Sequence, residues 1–145
     1  LEILRGFSSE GTVEYHGKHF DFPRVQISAS PMRNLPVRIG GAAPVALRRA
    51  ARCDGWIGAG NTPQEVPALL AQIRGYRADL GKSMDGFETV IGLTTPFDPA
   101  QLASLEEHGM SSAVNLPFRF SLGERSSLDA KKRNMEEFAK RFIRP

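Results

Sequence analysis

Pro36-Val-Arg-Ile-Gly-Gly-Ala-Ala-Pro44, continued by Leu47-Arg-Arg-Ala-Ala-Arg52 and Asp54-Gly-Trp-Ile57, is the stretch whose reading decides the fold. Val37 and Ile39 alternate as a short strand does. Gly40 and Gly41 then admit backbone angles that a side chain forbids. Pro44 stands where a first helical residue belongs, because its missing N–H would have had no partner there. In the helix that follows, Ala43, Ala46, Leu47 and Ala50 share one face, and Arg48, Arg49 and Arg52 share the other. Asp54 and Gly55 stop the helix, and Trp56, Ile57 and Gly58 open a second buried strand. The pattern is strand, helix, strand, with a bare glycine turn at the C-terminal end of the first strand. α/β folds place their ligands at that end.

The whole string resembles the luciferase-like flavin-dependent oxidoreductases, a family that includes bacterial luciferase, alkanesulfonate monooxygenases and deazaflavin-dependent dehydrogenases. Its members are (β/α)8 barrels, and the resemblance aligns this string with their fifth strand, fifth helix and sixth strand. A complete barrel needs about 250 residues, whereas this chain has 145. Its first residues, Leu1 to Phe7, read as the end of a helix stopped at Gly6. The expectation is therefore an α/β chain forming the C-terminal half of a (β/α)8 barrel. It is read as a single partial domain over 1–145, with a hairpin and loop insertion over 8–35 and four strand–helix units over 36–145.

Composition is compatible with one ordinary core, at 41% hydrophobic residues. The net charge of +3 is unevenly spread, because residues 119–145 hold eight of the 19 Lys and Arg but only four of the 16 acids. A basic amphipathic tail without interleaved aromatics is a solvated face, so no nucleic-acid partner is expected. Cys53 is the single cysteine, which excludes an internal disulfide; among apolar neighbours it reads as a packing residue. No apolar run approaches the roughly 20 residues of a membrane span. A cytoplasmic protein is the expectation.

Taken in order, residues 12–15 and 18–22 alternate around His16 and Gly17 as a hairpin, with Val13, Tyr15, Phe20 and Phe22 as its apolar positions. Residues 24–35, with Pro31 inside them, read as an extended loop. Thr62, Pro63 and Glu65 predict a helix start with a capping box, in which Pro67 fits poorly. Val66, Leu69, Leu70, Ile73, Tyr76 and Leu80 form its apolar stripe. Residues 87–94 read as the next strand, Asp98 and Gln101 as another capping box, and Leu102 and Leu105 as the inward face of its helix. Residues 112–116 make a fourth strand, and a last helix from Ser127 lines up Leu128, Met135, Phe138, Ala139 and Phe142. Leu47, Ile73, Val90 and Leu105 are the expected core.

For chemistry, the turn of Gly40, Gly41, Ala42 and Ala43 at a helix N-terminus offers free N–H groups and the positive end of a helix dipole. The resemblance implies that it holds the phosphate of FMN or of a deazaflavin coenzyme, through the backbone alone, since relatives carry serine where Ala42 and Ala43 stand. Gly58 and Gly60 are expected on the same rim, after the second strand. His16 and His19 read as solvated strand residues, and His108 as a favourable charge at a helix C-terminus. No nucleophile–base pair, metal spacing or carboxylate pair marks a catalytic group, so the catalytic residues are not identified.

Two readings of function follow. In the first, the chain contributes the cofactor-phosphate half of a luciferase-like oxidoreductase acting on a small-molecule substrate. In the second, it is a half-barrel that has lost turnover and serves association. Either way, four strands cut from a barrel leave open edges and an uncovered interior. The expectation is a homo-oligomer or a complex with the missing N-terminal half, and no turnover from the isolated chain.

Overall fold

The computed structural model describes residues 1–28, 35–123 and 125–143. The chain separates into two compact units, Leu1–Pro36 and Val37–Pro145. The middle of the expected loop, 29–34, lies outside the described residues.

In the first unit, helix α1 (Glu2–Glu10) runs through Gly6 and ends at Gly11, whose φ of 69° is left-handed. This corrects the stop expected at Gly6. A Cβ at Gly6 would come within 2.8 Å of Val13 Cγ2, so that glycine is there for close packing on the hairpin. Strands β1 (Thr12–His16) and β2 (Asp21–Gln26) pair antiparallel. Tyr15 stacks on Phe22 with 6.1 Å between ring centroids. The second strand starts and ends later than read, carrying Pro23 and Arg24 within it. Phe20 therefore lies in the turn and is exposed.

The second unit holds four parallel strands in sequential order, β3 (Arg38–Gly40), β4 (Gly55–Asn61), β5 (Glu88–Leu93) and β6 (Ser112–Val114). Helices α2 (Pro44–Ala51), α3 (Val66–Asp79) and α4 (Pro99–Glu107) connect them. A short helix α5 (Pro117–Ser121), which the sequence did not announce, precedes α6 (Leu128–Phe142). Neighbouring parallel strands joined in order by helical crossovers are the repeating unit of a (β/α)8 barrel.

One layer of side chains closes the core between the helices and one sheet face. Leu47, Trp56, Val66, Leu70, Ile73, Ile91 and Leu105 belong to it. Val90 is a correction: along β5, Thr89, Ile91 and Leu93 are buried, so Val90 falls on the opposite face and is half-buried. Leu80, Leu128 and Met135 are exposed as well; in α6 only Phe138 and Phe142 pack against the core.

Side-chain caps start two of the six helices among the described residues. Asp98 and Gln101 form the reciprocal box, and Ser127 accepts from Ala130 N–H. The α3 start differs. Glu65 reaches back to Thr62 N–H at 2.8 Å, but residues 63–65 form a turn and the helix begins at Val66. Pro67 then lies in the first turn, where its missing N–H leaves nothing unpaired, which removes the misfit.

The position that sequence periodicity missed is Arg77, 7% exposed on the inner face of α3. Its guanidinium donates to Ser83 O at 2.7 Å, Ala51 O at 3.1 Å and Cys53 O at 3.3 Å, and lies 4.5 Å from the Phe87 ring centre. It ties the end of α2 to the loop before β5.

Candidate functional site

The glycine turn is built from the end of β3 and the start of α2. Gly41 has φ of 105°, and a Cβ there would meet Ala46 Cβ at 3.2 Å. Ala43 is the N-cap in extended conformation, without any side-chain cap, and Pro44 is in the first turn. Among the described residues, the backbone N–H groups of Ala42, Ala43 and Val45 donate to no acceptor. No acidic residue occupies the first turn of α2, so the positive end of the helix dipole is uncompensated. The turn is pinned from below: Trp56, fully buried, donates its indole N–H to Gly41 O at 2.8 Å. Exposed, uncompensated N–H groups on a rigid turn suit an anion such as a phosphate. The sequence alone marks Trp56 only as a strand residue.

Gly58 and Gly60 lie within β4, not after it, because that strand continues to Asn61 through a register shift between Ala59 and Asn61. Gly58 is buried, and a Cβ there would come within 2.5 Å of the Trp56 ring and 2.9 Å of Asn61 Oδ1. Its glycine is thus demanded by the indole. Gly60 is exposed, with open space around it. Both glycines line a cavity of about 350 Å3 at the C-terminal ends of β4, β5 and β6, together with Ile57, Gly92, Leu116 and Arg119. Residues 40–43 do not line it; they stand at the same end of the sheet, one strand over.

The remaining polar candidates are accounted for locally. His16 holds Asp21 at 2.6 Å through Nδ1 and Glu14 at 2.9 Å through Nε2. Hydrogen bonds to Glu14 first, and to Asp21 next, raise its pKa above the ordinary 6.5. His108 lies against Ser104 O at 2.8 Å at the end of α4. Cys53 is buried. Among the described residues no group of three or more His, Cys, Asp or Glu is placed to hold a metal, and no helix is long and apolar enough to cross a membrane.

The luciferase-like monooxygenase family model matches residues 1–141. Uncharacterized proteins of Mycobacterium bovis and Mycobacterium tuberculosis are 34% identical to the chain over 146 residues, covering 99% of it and 50% of their own length. The chain thus spans about half the length of these curated relatives. Among solved structures, a coenzyme F420 dependent tetrahydromethanopterin reductase from Methanopyrus kandleri superposes with a TM-score of 0.57 at 21% identity, over 67% of this chain and 28% of that one. An F420-dependent secondary alcohol dehydrogenase, in complex with an F420-acetone adduct, has the same TM-score of 0.57 at 14% identity, over 92% and 42%. At these identities the structural likeness bears on the fold, and it agrees with the α/β half-barrel expected from sequence.

Proposed function

The chain belongs to the luciferase-like monooxygenase family, and from that premise we propose that it forms the cofactor-phosphate-binding half of a flavin- or deazaflavin-dependent oxidoreductase. The observation that carries this reading is the glycine turn. Its N–H groups at Ala42, Ala43 and Val45 find no partner among the described residues, and Trp56 holds the turn through Gly41 O. A phosphate fits that donor set. It needs several convergent N–H groups, a favourable dipole and close approach to the backbone. Ala42 and Ala43 admit the approach but supply no hydroxyl, so the contacts are backbone contacts.

When bound, the cofactor supplies the hydride or oxygen chemistry on its own ring. The residues of this chain position it: the turn fixes the phosphate, and the rim at Gly60 leaves room beside it. FMN and a deazaflavin fit this donor set equally, since both present a phosphate. One sheet face remains uncovered, with Ile57 at 41% and Val114 at 42% exposure. The isolated chain should therefore self-associate, or pair with a complementary half, before any turnover.

The test is Ala43→Glu. An acid at the N-cap suits the helix dipole and spares the fold, while its carboxylate repels a phosphate. Titration of FMN and of a deazaflavin into both proteins, complemented with the first half of a curated relative, should show about tenfold or greater weakening. Equal affinities would remove the turn from the site.

A further inference from the structure

The cavity at the ends of β4, β5 and β6 combines three features that the glycine turn does not use. Its floor carries little side chain: Gly60 is open, and a Cβ at Gly92 would lie 3.7 Å from Gly58 O, in ordinary contact. Its walls are apolar, with Ile57, Val114, Leu116 and Phe120. Arg119, in the short helix α5, is the one charged residue lining it among the described residues. Among the described residues Arg119 has no carboxylate partner.

A guanidinium presents a planar fork of donors that matches a carboxylate. A smooth floor between apolar walls accepts a flat hydrocarbon body. At about 350 Å3 the space is within the range of small-molecule sites. A lone cation there sets both the sign and the orientation of the ligand. The carboxylate goes to Arg119, and the body extends over Gly92 toward Ile57 and Gly60.

We propose that this cavity binds a small aromatic or similarly flat organic carboxylate, paired with Arg119, as the second ligand beside the cofactor. Its role as a reactant rests on the cofactor reading above; its binding does not. Thr94, which also lines the cavity, bonds back to Asn61 O at 3.4 Å and helps keep the rim in place.

The probes are benzoate, benzamide and acetate, titrated by calorimetry into the full chain. Benzoate should bind best, with benzamide and acetate each weaker by about tenfold, for want of the charge or the apolar body. Arg119→Gln should bring benzoate down to the benzamide level. Gly92→Ala, whose Cβ makes only ordinary backbone contacts, raises the floor by one methyl and should weaken benzoate binding while circular dichroism stays unchanged. Equal binding of benzoate and benzamide, or an unaffected Arg119→Gln, would overturn the proposal, as would no measurable benzoate binding to a folded wild type. Cofactor titration separates the two readings. Loss of cofactor binding with benzoate binding intact would sink the phosphate site alone, and the reverse result would sink this one.

Discussion

The two faces of the four-stranded sheet are made from alternate residues of the same strands, yet they do different work. On one face Trp56, Thr89, Ile91 and Leu93 are buried under the helices. On the other, Ile57, Ala59, Val90, Gly92 and Val114 are half-buried or exposed, and the ion pair of Arg38 with Glu88 crosses the sheet near its N-terminal edge. Period-2 alternation makes this division unavoidable, because a strand cannot turn consecutive side chains the same way. The covered face carries stability and the open face lines the cavity of Ile57, Gly92 and Val114. Substitutions should separate the two.

The largest effects belong to the covered face. Trp56→Ala should cost about 3–5 kcal/mol, and Ile91→Ala about 2–5 kcal/mol, in denaturant unfolding. Trp56→Phe sharpens the comparison: it keeps most of the packing but cuts the bond to Gly41 O. It should weaken cofactor binding more than its modest loss of stability explains. A cofactor affinity that did not move would detach the indole from the turn.

Arg77→Met comes next, at about 2–3 kcal/mol, because it leaves buried carbonyls at Ala51 and Cys53 without their donor. A neutral result would mean that water replaces the guanidinium.

On the open face, Ile57→Ala and Val90→Ala should each cost less than about 1 kcal/mol. If either matched Ile91→Ala in the monomer, the open face would be packed within the chain itself, and the division of labour would fail.

The smallest effect lies off the sheet, in the hairpin. The pKa of His16 is raised by Glu14 and Asp21, so the folded form holds its proton better than the unfolded one. That contribution is fully present below the ordinary value of 6.5 and is lost as pH rises through the higher folded value. Amide exchange in β1 and β2, corrected for intrinsic rates, should show the pairing loosening over that window. His16→Gln should flatten the dependence; an unchanged profile would assign it to another group.

Much of the fold was legible because its signals are local. The strand at Ile39, Pro44 in a first turn, the box of Asp98 and Gln101 and the cap at Ser127 each depend on neighbours within four residues. The turn of Gly40, Gly41, Ala42 and Ala43 stood out for the same reason. Other features left no such mark. Helix α5 is a five-residue element begun by Pro117, too short for periodicity to register. Arg119 looked like one more basic residue of the tail. Asn61, 6% exposed and with Oδ1 unpartnered among the described residues, reads in sequence only as the head of the next helix start, whereas it ends β4.

Alternation and capping chemistry, written into the order of residues, thus determined by themselves that this chain makes parallel strand–helix units with a glycine turn before a helix. Tertiary structure alone decided which parity of β5 faced the helices, and so made Ile91 core and left Val90 on the open face. It also buried Arg77 against the end of α2 and brought the Trp56 indole to Gly41 O, across 15 positions of sequence. Those choices depend on contacts between elements far apart in the chain, where the energy of covering one face rather than the other is set by the partner and not by the strand.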